Sequence, residues 1–435
     1  MIRRLLWAPT QSVYGRRAPL VIVLAPGIQL PKTPIDLGIQ WSGRRDSNPR
    51  PSPWQGDALP TALRPHYVVD LVVLTGQNLA HRRVETQTRL SSITVIDPNY
   101  GEAIFHAQGI LASDLLEVSH DPGDLDRPGF WAVVGTFEGE WTLGRFGHVR
   151  SAALPRTTRP WVPISPKSWT STLSQLDYEQ AVEYVREQIA EGSVYQANIC
   201  RVLSAPVSAD HDLLALAHLI NSGNPSPHSS FLRLPGLEIV CASPELFLGR
   251  SGTHLISSPI KGTGVEAGDM GSKDAAENIM IVDLVRNDLG AIAVTGSVEV
   301  PRLLGVEEHP GLFHLVSDVR AELRSGTSWP QIIAATFPPG SVSGAPKSSA
   351  LRIIRDLEPS PRGPYCGAIG WSEGERASLA VGIRTFWREK HDVLHFGTGA
   401  GITWGSDAHA EWKETELKAA RLVGLASSGE VTSLK

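Results

Sequence analysis

Helix-like and strand-like segments alternate from residue 177 to the C-terminus, without an internal repeat or a low-complexity tract. The first helix is predicted to begin at Asp177, with Gln180 in the capping-box position and apolar residues on one face before Gly192. Mixed segments of this length need a large hydrophobic core, and a chain of 435 residues can bury roughly three quarters of its unfolded surface. We therefore predict one large domain over residues 177–428.

Residues 1–66 differ from this domain, because they are crowded with arginine, proline and tryptophan and follow no helical or strand period. We predict that they are disordered, or that the native protein lacks them because translation begins further downstream. One codon choice for Asp46–Pro49 has a reverse complement that resembles a transfer-RNA T-arm, which favours translation of the antisense strand of a neighbouring transfer-RNA gene. A genuine disordered extension is the alternative, and native peptides from before Tyr67 would establish it.

Residues 67–150 and 151–176 form two further segments. The β-branched runs Val68–Leu74 and Ser92–Ile96, bounded by turn-forming residues, predict the strands of a divergent N-terminal lobe. Enrichment in proline, serine and threonine from 151 to 176 predicts a linker between this lobe and the large domain.

Composition excludes several classes of protein. A formal net charge of -5 lacks the basic excess that binding to a phosphate backbone requires, so no nucleic-acid partner is expected. No apolar run approaches the ~20 residues that span a bilayer, so no membrane association is expected. Cys200, Cys241 and Cys366 are odd in number and widely spaced, which argues against a disulfide framework and indicates a reducing cytoplasm.

Two segments place carboxylates at helical spacing. Glu411, Glu414 and Lys418 share one face of a predicted helix, and Asp274 and Glu277 lie three residues apart beside an apolar run. The first set alone is typical of a solvated ion-pair ladder, whereas carboxylates beside an apolar run need a partner if they are buried. If the two helices faced each other, they would form an all-oxygen site suited to Mg²⁺.

Two glycine-containing motifs resemble nucleotide loops without matching them. Residues 337–347 have Pro346 where a phosphate loop requires glycine, and Pro346 instead suits the first turn of a helix that runs to Leu357. Residues 397–401 follow a strand-like run but do not lead into a helix, so a dinucleotide site is excluded. We predict a glycine turn there, which either holds a carboxylate through its N–H groups or is a plain hairpin turn.

Lys261 lies at the end of a strand-like segment, next to Gly262. A lysine of ordinary pKa is neutral in about 1 molecule in 2,500 at pH 7, so nucleophilic chemistry requires burial or a neighbouring cation to lower its pKa. Without such surroundings it is a surface lysine.

Together these segments resemble the chorismate-binding family, which includes component I of anthranilate synthase and of aminodeoxychorismate synthase, and the isochorismate and salicylate synthases. The resemblance covers residues 178–426. Blocks in the family's order are Val194–Asn198, Ser243–Glu245, Pro259–Thr263, Glu277–Asp288, His314–Ser317, Ser341–Lys347 and Glu411–Lys418. The resemblance implies an α+β fold in which two large, mainly antiparallel sheets pack as a sandwich with flanking helices, and an active site in the cleft.

The resemblance also implies roles for individual residues. Glu277 and Glu414 match the magnesium ligands, with Glu411 and Asp274 nearby; the metal would hold the ring carboxylate of chorismate and polarise the ring. His314 matches a histidine close to the leaving group. The groups implied for the enolpyruvyl carboxylate and its surroundings are Arg384, Tyr365, Lys418, Ser341 and the amides of Gly399, Ala400 and Gly401.

Two positions favour one reaction within the family. Relatives that add water resemble this chain but carry a lysine base at the position of Gln196, and a neutral amide cannot activate water. Many of the relatives that aminate chorismate at C4 have a lysine at position 261, where anthranilate synthases have alanine. The implied mechanism has Lys261 attack C2 while Glu245 protonates the departing 4-hydroxyl, after which ammonia enters at C4.

The expected product is therefore 4-amino-4-deoxychorismate, on the way to 4-aminobenzoate and folate. Anthranilate, for tryptophan synthesis, is the alternative, and a catalytically silent chorismate-binding paralogue is a third. The chain shows no glutaminase signature. A class-I glutamine amidotransferase subunit is therefore the expected source of ammonia.

Overall fold

The computed structural model describes residues 102–208, 210–264, 271–309, 312–389 and 392–430. Residues 1–66 and the predicted strands Val68–Leu74 and Ser92–Ile96 lie outside these ranges. Within the ranges, none of the helices combines the length and the apolar character needed to cross a membrane.

Helices and strands alternate along the described chain. The α-helices are α1 Gln175–Ala190, α2 Leu213–Gly223, α3 Ser272–Gly290, α4 Trp329–Thr336, α5 Lys347–Leu357 and α6 Ala408–Ser428. The strands are β1 Ile104–Ala107, β2 Ile110–Ser119, β3 Phe130–Gly135, β4 Trp141–Ser151, β5 Thr170–Ser171, β6 Gln196–Pro206, β7 His228–Leu234, β8 Leu237–Ser243, β9 Leu246–Ser251, β10 His254–Ser258, β11 Ile260–Gly264, β12 Glu299–His309, β13 Leu312–Glu322, β14 Gly344–Ala345, β15 Ala368–Glu373, β16 Arg376–Val381, β17 Thr385–Glu389 and β18 Val393–Ile402.

The strands form a large antiparallel sheet with flanking helices, so the fold is α+β as expected. The two expected sheets are linked into one continuous hydrogen-bonded network of described strands. Strands β1 and β3, from the predicted N-terminal lobe, pair with β7 and β15 of the predicted large domain. The domain boundaries themselves stay a prediction, but hydrogen bonding is continuous across them.

Helix α6 joins the sheet to the candidate site. Its C-terminal half buries Leu422 and Leu425 in a core cluster that also contains the rings of Phe386 and Phe396. Those rings are 4.6 Å apart between centroids. This packing fixes the helix, so the polar residues of its N-terminal half are held in place.

The start of α1 corrects one expectation. The helix begins at Gln175, and Ser174, not Asp177, is the N-cap. Ser174 Oγ accepts from Asp177 N at 3.2 Å, and the Asp177 carboxylate accepts from Ser174 N at 3.3 Å. The earlier cap prevails because this reciprocal pair satisfies two backbone donors at once.

Residues between β4 and α1 are attached to the far end of the chain. Trp161 is buried, and its Nε1 donates to Ala426 O at 2.8 Å. Ile164 N donates to the same oxygen at 3.1 Å. The predicted linker is therefore bound to the C-terminal end of α6.

Candidate active site

Lys261 lies at a β-bulge between β11 and β13. Lys261 pairs with Leu315 and Thr263 with His314, so Gly262 is the extra residue of the bulge. Gly262 has φ of +72°, and a Cβ there would stand 3.0 Å from Asp274 Cβ. A glycine is needed at this position, and a bulge changes the direction of the neighbouring Lys261 side chain. Lys261 Nζ donates to Ser341 O at 3.1 Å.

Charges of both signs surround the Lys261 amine. Burial lowers its pKa, and the ammonium of Lys418 adds to this effect. The carboxylates of Glu277, Glu245 and Glu414 oppose it. Burial and a neighbouring cation, the two surroundings that lower the pKa of a lysine, are both present at Lys261. We call the group the Lys261 cluster: Glu245, Lys261, Glu277, Ser341, Glu414 and Lys418.

Glu245 lies in the turn between β8 and β9 and is 4% exposed. Burial raises its pKa to about 7, against partial opposition from the Ser341 hydroxyl, the Lys261 ammonium and the Ile260 N–H. The carboxyl therefore holds a proton in a large fraction of molecules at neutral pH. A general acid requires such a proton.

The other carboxylates come from two helices, as the spacing predicted. Glu277 lies on α3, while Glu411 and Glu414 lie on α6. Glu414 pairs with Lys418 at 2.6 Å, and Lys418 also donates to Gly399 O at 3.1 Å. Glu411 is buried, and burial together with Glu411 and Glu414 raises the pKa of Tyr178.

The oxygens of Glu277 and Glu414 fit the preference of Mg²⁺ for carboxylate ligands. Across the described residues, no three His, Cys, Asp or Glu side chains are grouped tightly enough to bind a metal by themselves. Mg²⁺ usually takes one or two carboxylates and completes its shell with water and substrate. The Asp274 carboxylate accepts a hydrogen bond from Gly271 N at 2.9 Å and so caps α3.

His314 is tied to the same bulge as Lys261. It is 1% exposed, and its Nδ1 lies 3.2 Å from Gly262 O. A carbonyl oxygen can only accept a hydrogen bond, so Nδ1 carries a proton. The imidazole is therefore oriented by the backbone next to Lys261.

The expected glycine turn at 399–401 is wrong, because β18 continues as a strand to Ile402. Gly399 pairs with Cys200 and Gly401 with Asn198 on β6. These glycines allow close approach instead: a Cβ at Gly401 would lie 2.2 Å from Gln196 Nε2, and one at Gly399 would lie 2.6 Å from Ile199 O. The intervening Ala400 is buried in the core.

Tyr365 and Arg384 lie beside this strand and α6. A Cβ at Gly397 would stand 2.0 Å from the Tyr365 ring, which is buried against the strand. Burial lowers the pKa of Arg384, and the nearby Arg421 adds to the effect. Arg384 thus lies beside a second cation, where an anion would be favoured.

Two asparagines that the sequence analysis left without a role hold the site together. Asn198 Nδ2 donates to Ser341 O at 3.0 Å, the same oxygen that accepts from Lys261. Asn278 is fully buried, donates to Leu315 O at 3.2 Å and accepts from Ser317 Oγ at 2.5 Å. It therefore fastens α3 to β13 next to Glu277. The sequence feature that could have predicted this role is the position of Asn278, a polar residue beside the apolar run of α3.

Comparison with known proteins agrees with this geometry. Residues 148–424, more than half of the chain, match the chorismate binding enzyme family, and the chain belongs to that family. It is 38% identical over 282 residues to anthranilate synthase component 1 1 of Haloarcula marismortui, covering 62% of this chain and 57% of the relative. It is 36% identical over 269 residues to aminodeoxychorismate synthase component 1 of Salmonella typhimurium, covering 59% of each.

The matched part thus spans less than two thirds of the length of these curated relatives. The solved structure of anthranilate synthase component I from Streptococcus pneumoniae superposes with a TM-score of 0.64 at 22% identity, over 78% of this chain and 95% of that chain. This likeness confirms the expected fold.

Proposed function

We propose that this chain binds chorismate and aminates it at C4, as component I of an aminodeoxychorismate synthase. The observation that carries the proposal is the pairing of a lysine of lowered pKa with a carboxyl whose pKa is raised to about 7. One group supplies a nucleophile and the other a proton, which are the two requirements for displacing a hydroxyl group.

In the proposed reaction, the neutral amine of Lys261 forms a bond to C2, the ring double bonds shift, and the bond from C4 to its oxygen breaks. Glu245 gives its proton to that oxygen, which leaves as water. Ammonia then bonds to C4, the double bonds shift back, and the bond between C2 and Lys261 breaks. The product leaves with its new amino group in the ammonium form, and the Glu245 carboxylate regains a proton from solvent. The cycle thus closes with chorismate, ammonia and one proton converted to protonated 4-amino-4-deoxychorismate and water.

The remaining residues serve binding. Glu277 and Glu414 would hold Mg²⁺, with Glu411 close by, and the ion would offset the charge of the ring carboxylate when bound. Arg384 and Arg421 lie close to each other and would favour the second carboxylate of the substrate. Lys418 contacts both Glu414 and Gly399 O.

Anthranilate synthase component I is the second candidate, since relatives from both branches match at similar identity. Incubation with chorismate, Mg²⁺ and ammonium, followed by chromatography of the products, separates the possibilities. We expect 4-amino-4-deoxychorismate. Anthranilate with pyruvate would favour the second candidate, and no product would favour a silent paralogue.

We also propose that a glutaminase subunit supplies the ammonia. The purified chain should then use ammonium salts but not glutamine, and addition of a class-I amidotransferase should confer glutamine dependence. Turnover of glutamine by the chain alone would contradict this part of the proposal and leave the amination of chorismate standing.

A further inference from the structure

A small cavity borders Glu245 and extends to Asp288 on α3. It offers about 20 Å³ to the centres of water molecules, which is room for at least one. A buried water needs two to four polar partners. Beyond Glu245 and Asp288, the polar side chains that line this cavity are Ser257, Thr336 and Ser341. The cavity therefore meets both requirements for an ordered water.

Asp288 belongs to an ion pair that reaches the surface. Lys347 Nζ donates to Asp288 Oδ2 at 2.6 Å and to Thr336 O at 3.0 Å. The side chains of Lys347 and Asp288 are 17% and 11% exposed, whereas Glu245 is 4% exposed. Burial raises the pKa of Asp288, with Lys347 in opposition, so this carboxylate accepts a proton more readily than an ordinary aspartate.

The buried Glu245 carboxyl needs a route by which its proton equilibrates with solvent. The groups that face it are the Lys261 ammonium, the Ser341 hydroxyl and the Ile260 N–H. A backbone amide does not release its proton readily, and Lys261 is engaged as the nucleophile in the proposed reaction. The cavity leads instead to Asp288, whose charged neighbour is Lys347.

We propose that a water in this cavity passes protons between the Asp288–Lys347 pair and the Glu245 carboxyl. The proposal rests on the proposed role of Glu245 as the general acid. Asp288 takes a proton from solvent and gives it to the water, while the water gives one of its own protons to the Glu245 carboxylate. Asp288 and Lys347 are thus positioning residues that act through Glu245.

Infrared spectroscopy tests the route without turnover. The carbonyl band of protonated Glu245 is assigned by its loss in Glu245→Gln, and its shift after rapid mixing with D₂O reports the exchange of its proton. We expect Asp288→Asn, which preserves shape, to slow this exchange roughly 10-fold, below the ~10²-fold or more associated with losing a general acid outright. Exchange at the wild-type rate in Asp288→Asn would overturn the proposal.

A second pair of variants leaves every polar group in place. Val285 lines the cavity, so Val285→Ile adds a methylene group there and should displace the water. Val282, one turn earlier on α3, is buried but does not line the cavity. Val282→Ile is therefore the matched control for overpacking. Slow exchange in Val285→Ile alone supports the water, and equal rates in both variants contradict it.

Steady-state kinetics of Asp288→Asn provide a third test. Asp288→Asn should lower kcat, leave KM for chorismate within about two-fold and increase the solvent deuterium isotope effect, because a step that moves only protons has become slower. An unchanged isotope effect with lower kcat would indicate a merely structural role and overturn the relay. If the chain forms no product at all, the proposed function fails, while the infrared exchange still tests the relay.

Discussion

Two cations of this molecule, Arg362 and Lys261, have different surroundings. Arg362 is 1% exposed, and its guanidinium donates to both oxygens of Glu358, at 2.8 and 2.6 Å, and to Val342 O and Asn198 O at 2.9 and 2.8 Å. Lys261 lies beside another cation, Lys418, as well as three carboxylates, and burial together with that cation lowers its pKa. The first cation is held by hydrogen bonds from its guanidinium, whereas the second loses its proton more readily than an ordinary lysine does.

The two sites meet at one residue. Asn198 accepts from Arg362 through its carbonyl oxygen and donates from its side chain to Ser341 O, which also binds Lys261. Arg362 thus supports the backbone to which Lys261 is hydrogen-bonded. Removing Lys261 should abolish chemistry and spare the fold, while removing Arg362 should damage the fold first.

Lys261→Ala should reduce amination of chorismate by roughly 10⁴-fold or more, because the covalent route loses its nucleophile. The melting temperature should stay the same or rise, since a partly buried ammonium disappears. Steady-state kinetics and a thermal melt measure both effects. Lys413→Ala, an exposed lysine on α6, is the control and should behave as wild type. Full activity in Lys261→Ala would refute the covalent route.

Glu245→Gln should reduce kcat by roughly 10³-fold, because the leaving hydroxyl loses its proton donor. Wild-type activity that depends on protonated Glu245 should fall as pH rises through about 7. The small residual activity of Glu245→Gln should lack that fall. If the residual activity of Glu245→Gln fell over the same pH range, the fall would have to come from the titration of another group.

Arg362→Met should cost about 3–5 kcal/mol of folding free energy, because the buried Glu358 charge and two backbone carbonyls lose their partner. Urea unfolding followed by circular dichroism measures the loss. Arg352→Met, on the exposed face of α5, is the matched control and should change little. Equal stability of the two variants would show that Arg362 does not lock the fold.

Glu245 should also make stability depend on pH. Its pKa is about 7 in the fold and 4.5 as the ordinary value, so the folded state binds the proton more tightly. Stability from this group is therefore complete below pH 4.5 and is lost as pH rises to about 7. By this linkage Glu245→Gln should be more stable than wild type at pH 8, by about 3 kcal/mol at most. At pH 4 the two should differ little, and identical differences at both pH values would contradict the raised pKa.

Asn278→Ala should cost about 1–3 kcal/mol, since Leu315 O and Ser317 Oγ lose buried partners. It should also raise KM for chorismate more than it lowers kcat, because it loosens α3 beside Glu277 without removing a reacting group. Asn287→Ala, exposed near the end of α3, is the control. A loss of kcat alone, at unchanged stability, would point to a direct role in the chemistry.

The sequence was informative where spacing alone fixes geometry. The spacing placed carboxylates on one face of α3 and of α6, since a helical period needs no tertiary knowledge, and Glu277 and Glu414 from those faces do interact with Lys261. The pKa values of Lys261 and Glu245 could be stated only as requirements, since burial is set by distant chain segments. The glycines of β18 were mistaken for a turn because local sequence does not reveal that Gln196 and Tyr365 would occupy the space of their missing side chains.

The covalent role of Lys261 has a direct measurement: mass spectrometry of protein quenched in acid during turnover of chorismate without ammonia. The account predicts an increase equal to chorismate minus one water, located by peptide mapping to the segment that contains Lys261 and absent from Lys261→Ala. An unmodified lysine throughout turnover, together with wild-type amination by Lys261→Ala, would contradict it.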